Sequence, residues 1–98
     1  MSDIAFEWDP VKAAANFRKH GVTFDEAQTV FEDDEALILQ DPEHSAVEER
    51  FVLLGASIDR NVLAVVHCER ARGRVIRIIS ARKADRDERA TYFARRAP

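Results

Sequence analysis

Apolar side chains recur at helical spacing early in the chain and at strand spacing later, with a polar stretch between the two regimes. Asp9-Pro10 carries the pattern of an N-cap followed by proline at the first helical position, where a missing N–H costs nothing. Ala13, Ala14 and Phe17 then form an apolar stripe, and His20-Gly21 marks a helix end with glycine as its cap. Thr23 opens a second predicted helix. Glu26 stands three residues on, as in a capping box, and Phe24, Ala27, Val30 and Phe31 share one face. The acidic run 32–35 ends it. Residues 36–39 read as a short strand, and the polar stretch 40–49, with Pro42, as the longest loop.

Three longer strands are predicted at 50–56, 61–69 and 74–83, joined by turns at Ile58-Asp59-Arg60 and Ala71-Arg72-Gly73. Connections this short force antiparallel neighbours. In the last strand the two-residue period puts Arg74, Ile76, Ile78, Ser80 and Arg82 on one face and Val75, Arg77, Ile79, Ala81 and Lys83 on the other. Both faces are apolar at mid-strand, which predicts a strand covered on both sides. Asp85 with Glu88 forms another cap pair and opens a final helix through Arg96, whose apolar face of Ala90, Phe93 and Tyr92 is thin. The expected fold is α+β: two N-terminal helices, a four-stranded antiparallel sheet and a C-terminal helix, in one domain spanning 1–98.

Composition narrows the class. An apolar share of 46% with 34% charged residues describes a globular chain. The longest apolar run, 62–66, is too short to cross a bilayer, and the acidic Met1-Ser2-Asp3 start does not read as a signal peptide, so a cytoplasmic protein is expected. The net charge of −3 hides a segregation: residues 1–49 hold thirteen Asp/Glu against three Lys/Arg, and residues 50–98 hold twelve Lys/Arg against five Asp/Glu. Eleven of those twelve bases are arginine. Its planar fork grips phosphate with two donors and keeps its charge, which suggests a nucleic-acid partner. The alternative is that acidic helices neutralise a basic sheet within one domain.

The candidate chemistry follows from that bias. Arg50, Arg70, Arg77 and Arg82 fall near strand ends that antiparallel pairing brings together, with Arg86 and Arg89 on the closing helix, a set suited to a phosphate-binding groove. A solvated rim paired with Glu48, Glu49 and Glu69 is the plain alternative. His67, alternating with Leu63 and Val65, is a candidate general base or a structural histidine. His20 suits a helix C-terminus, and His44 a solvated loop. Cys68 reads as a small buried hydrophobe. Trp8 fits a core position and Tyr92 a base-stacking or proton-donating one. The histidines and cysteine lack zinc-site spacing, no acidic pair suits Mg²⁺, and neither a Gly-rich phosphate loop nor a serine elbow occurs. No metal or cofactor is expected.

Several linked motifs run in order along nearly the whole chain. They are Phe6-Glu7-Trp8-Asp9-Pro10 with Lys12 and Asn16; Lys19-His20-Gly21-Val22 with Phe24; Glu48-Glu49-Arg50-Phe51 with Leu54-Gly55; and Arg77-Ile78-Ile79-Ser80-Ala81-Arg82-Lys83-Ala84 with Glu88-Arg89. In these the chain resembles the BrnT-type toxins of bacterial type II toxin–antitoxin systems, a branch of the RelE-like ribonuclease superfamily. The resemblance implies an endoribonuclease that cleaves RNA without metal and inhibits translation. It also implies neutralisation by a BrnA-type antitoxin with a ribbon-helix-helix domain, with operator DNA reached only through the complex. Attack by a ribose 2′-hydroxyl would leave a cyclic phosphate, and arginines would stabilise the charged transition state.

On the resemblance Arg82 is carried over first, then Arg50 and Arg70, as phosphate and transition-state binders. Arg77 is a further RNA contact, along with Lys83, Arg86 and Tyr92. His67 as base and Tyr92 or Lys83 as acid rest on residue type and place alone. Two other readings stay open: a non-catalytic nucleic-acid-binding or co-repressor module, and a structural domain whose charged halves meet across a homodimer.

Overall fold

In the computed structural model, residues 4–40 and 49–96 are described; Pro42, His44 and most of the expected long loop lie outside them. The elements are β1 (Ala5–Glu7), α1 (Pro10–His20), α2 (Phe24–Thr29) running into a 3₁₀ turn (Val30–Glu32), β2 (Leu37–Gln40), β3 (Phe51–Ala56), β4 (Val62–Arg70), β5 (Val75–Lys83) and α3 (Arg86–Arg96). The caps act as the residue types predict. Asp9 accepts from the Val11 N–H at 2.8 Å, and Gly21 takes a φ of 71° while donating to the Phe17 carbonyl. Thr23 accepts from the Glu26 N–H at 3.0 Å. The Glu26 carboxylate does not return to complete the box: it accepts from Ser57 Oγ and Asn61 Nδ2 and so fastens α2 to the β3–β4 turn.

The expectation of a four-stranded antiparallel sheet preceded only by helices is overturned. The sheet has five strands in the order β1-β5-β4-β3-β2, and β1 pairs with β5 in parallel, Ala5 with Val75 through Glu7 with Arg77. A strand of three residues is too short to show as a periodic run. Its trace in the sequence is the alternation Ile4, Phe6, Trp8 against Ala5 and Glu7.

A second correction concerns the faces of β5. The β4–β5 register pairs Val66 with Ser80 but His67 with Ile78, leaving Ile79 as a bulged residue. One extra residue reverses the alternation beyond it. Ile76, Ile78 and Ala81 therefore share the core with Val22, Phe24, Ala27, Val30, Leu53, Leu63 and Val65 beneath the first two helices. Arg77, Ser80 and Arg82 take the opposite face, where Leu54, Val62 and Ala64 pack on Tyr92 of α3. The bulge thus brings Arg82 to the face of Arg77, from which a regular strand would have separated it.

Of the stripe predicted for the first helix only Ala13 packs against the core. Phe17 is 52% exposed and Ala14 is exposed, whereas Asn16 is buried. Its amide accepts from the Ala81 N–H at 3.1 Å and donates to the Ala81 carbonyl at 2.8 Å and the Val22 carbonyl at 3.1 Å. Because β1 pairs with β5 only as far as Arg77, the outward backbone groups of Ala81 would otherwise lack a ladder partner. Asn16 supplies one from a side chain.

Candidate nucleic-acid interface

The helices leave two sheet faces in unequal condition. One is sealed by α1, α2 and the 3₁₀ turn; the other carries only α3, so part of it stays open. The pleat sorts the predicted site residues between them. Cys68 pairs with Arg77 and Arg70 with Val75, so Cys68, Arg70 and Arg77 lie close together on the α3 side. Arg50 precedes Phe51, which pairs with His67, and by the two-residue period it shares the face of Val52 and Leu54. Arg82 follows along β5, roughly 15 Å from Arg77 at strand rise. Cys68 is 1% exposed and forms part of the floor beneath these cations.

Two carboxylates that the sequence does not mark as arginine partners hold this array. Glu7 Oε2 accepts from Arg77 at 3.0 Å and lies 3.8 Å from Arg70, making it a shared counter-ion. Glu88 accepts from both terminal nitrogens of Arg82, at 2.6 and 3.0 Å, while Glu88 and Asp85 cap each other's N–H groups at 2.8 Å. The hydrogen bond from Arg82 holds the Glu88 carboxyl below the ordinary range, and the same bond raises Arg82. Glu7 could be found only once β1 was known to pair with β5. Glu88 was visible as a capping residue, but not as an arginine clamp.

His67 and Tyr92 are not brought to this array. His67 is 1% exposed in the opposite, helix-covered layer, edge-on to Phe31 at 4.9 Å between ring centroids. Its Nδ1 lies 3.2 Å from the Val65 carbonyl, and Nε2 is buried without a hydrogen-bond partner among the described residues. Burial pushes its pKa down, against smaller opposing effects of the Val65 carbonyl and Glu69. Tyr92, also 1% exposed, donates to Asp33 Oδ2 at 2.6 Å, and that oxygen accepts from the Ala56 N–H at 2.8 Å. The order along α3 reverses expectation: Tyr92 anchors, Phe93 stands 43% exposed with the Arg89 guanidinium over its ring, and Ala90 is exposed.

Lys83 is exposed at the end of β5 and Arg86 at the start of α3, both flanking Arg82. Trp8 packs edge-on to Phe24 in the helical layer. Among the described residues no three His, Cys, Asp or Glu side chains gather as metal ligands, and no helix is long and apolar enough to cross a membrane.

Fold and site together define an α+β domain with an arginine-bearing, incompletely covered sheet face. Over residues 8–88 the chain matches the family described as the ribonuclease toxin, BrnT, of type II toxin–antitoxin systems, and it belongs to that family. Membership brings RNA as substrate and a protein antitoxin as partner. No match is found among curated proteins.

Proposed function

We propose that this chain is a metal-independent endoribonuclease whose open sheet face binds the RNA backbone. The observation that carries the reading is the collection of Arg50, Arg70, Arg77 and Arg82 on the side of the sheet that α3 covers only in part. Phosphates approach Arg50, Arg70 and Arg77, with Arg77 shared between phosphate and Glu7, and Arg82 donates to the non-bridging oxygens that gain charge in the transition state. The 2′-oxygen loses its proton and attacks the adjacent phosphorus. The bond from phosphorus to the 5′-oxygen breaks, the 5′-oxygen takes up a proton, and a cyclic phosphate and a 5′-hydroxyl remain. Arg86, at the start of α3, extends the cationic track past Arg82, while Lys83, paired with Leu63, projects from the opposite face at the strand end as a peripheral contact. His67 and Tyr92, first considered for proton transfer, take packing and docking roles.

Neutralisation by a BrnA-type ribbon-helix-helix antitoxin, repression of an operator only through that complex, inhibition of translation and a cytoplasmic site of action complete the reading. They are supported by family membership. The competing reading is a non-catalytic nucleic-acid-binding or co-repressor module, favoured by the ion pairs that already compensate Arg77 and Arg82. Purified protein incubated with bulk RNA in excess EDTA, with and without ribosomes, separates the two. New cyclic-phosphate ends support the ribonuclease. RNA that is bound and left intact under both conditions supports the module.

A further inference from the structure

The β4–β5 hairpin tip is strained. Ala71 and Arg72 both take positive φ, 52° and 59°, before Gly73 at 83°. Turns of this hand favour Asn-Gly or Gly-Gly, since a side chain in the left-handed region crowds its own carbonyl. Strain at such a position persists where its surroundings fix it, and it gathers where ligands bind. The tip walls a cleft of about 320 Å³ whose lining includes Glu49, Phe51, Glu69, Arg70, Arg72 and Gly73.

Three chemistries meet in that cleft. Phe51 is half-buried: its ring lies 6.0 Å from that of His67, and part of its surface opens on the cleft. Glu69 is exposed and forms no hydrogen bond or ion pair among the described residues, although Arg70 and Arg72 line the same space. Its Oε1 lies 3.5 Å from where a Cβ on Gly73 would stand, which puts the carboxylate over the turn. Arg70 joins the cleft to the open face, since its guanidinium also approaches Glu7.

A phosphate alone would suit the arginines and be repelled by Glu69. A nucleobase uses all three groups, and guanine uses them best. Its adjacent N1–H and N2–H donors fit one carboxylate, its O6 and N7 accept from a guanidinium, and its ring stacks on phenylalanine. Adenine and cytosine set a ring acceptor beside their single amino donor, and uracil flanks its N–H with two carbonyls, so each turns a lone pair toward Glu69. We propose that this cleft is a guanine subsite, with Phe51 as stacking platform, Glu69 as reader of the Watson–Crick edge and Arg70 or Arg72 as donor to the far edge. The inference rests on the ribonuclease reading for its place in RNA cleavage, where the subsite selects guanosine next to the cationic face.

Titrating the intact chain with each of the four nucleoside 5′-monophosphates, followed by backbone amide shifts, tests the subsite without requiring cleavage. GMP is expected to bind at least about ten-fold more tightly than AMP, CMP or UMP, with shifts centred on 49–51 and 69–73. Glu69→Gln, an exposed change, is expected to lose that preference while Phe51→Leu weakens all four. Equal affinities, or a GMP preference that survives Glu69→Gln, overturn the subsite. A GMP preference in a chain that cuts no RNA, with or without ribosomes, leaves the subsite standing and sinks the ribonuclease reading. Cleavage with equal nucleotide affinities does the reverse.

Discussion

Asn16 stands in for a missing strand, and its loss should be felt as such. Asn16→Leu removes the partner of two backbone groups on Ala81 and leaves them buried. A loss of about 2–3 kcal/mol is expected in chemical denaturation, well above a typical surface change. His67 sets a different limit. Its folded pKa lies below the ordinary histidine value of about 6.5, so the folded state binds fewer protons than the unfolded state. Stability contributed by neutral His67 is fully present above pH 6.5 and declines as pH falls through the folded value. His67→Leu should therefore flatten the acid limb of a melting-temperature profile, and an unchanged limb would show that other groups govern it. For Glu88 the folded pKa is depressed, so its contribution is present above the ordinary carboxylate pKa and lost on acidification.

At the scale of elements, α3 is secured at two points: the clamp of Glu88 on Arg82 and the bond from Tyr92 to Asp33. Tyr92→Phe deletes a hydrogen bond to a carboxylate while keeping the ring. Amide exchange in 86–96 should rise by roughly an order of magnitude while the central strands stay protected. What was legible in the sequence follows the same division. Helix ends showed through Asp9, Gly21 and Thr23 because caps are local chemistry, and β2 to β5 showed within a residue because alternation runs long enough to count. The first strand, the bulge at Ile79 and the docking of α1 through Asn16 depend on partners far away in sequence. No local pattern marks them strongly. The same holds for the candidate site: its arginines were visible as a class, but the common face of Arg77 and Arg82 depended on the bulge, and Glu7 depended on β1.

Across the whole molecule, the two charged halves share one sheet: the acidic half supplies its two edge strands, β1 and β2, and the basic half the three strands between them. Glu7, from the acidic half, holds Arg70 and Arg77 on the edge of the open face, so charge sorting along the chain serves both internal pairing and display of cations. If four arginines each neutralise a phosphate on single-stranded RNA, the logarithm of affinity should fall against the logarithm of salt with a slope of about −3, and Arg77→Ala should lower that slope by about 0.7. A salt-independent affinity would mean that RNA does not lie along this face. The most direct test is the rate of RNA cleavage by Arg82→Ala against the native chain, both verified as folded and assayed with and without ribosomes. Loss of a transition-state donor predicts a fall of roughly two to three orders of magnitude with RNA binding only modestly weakened. Full activity in a folded Arg82→Ala protein would contradict the account.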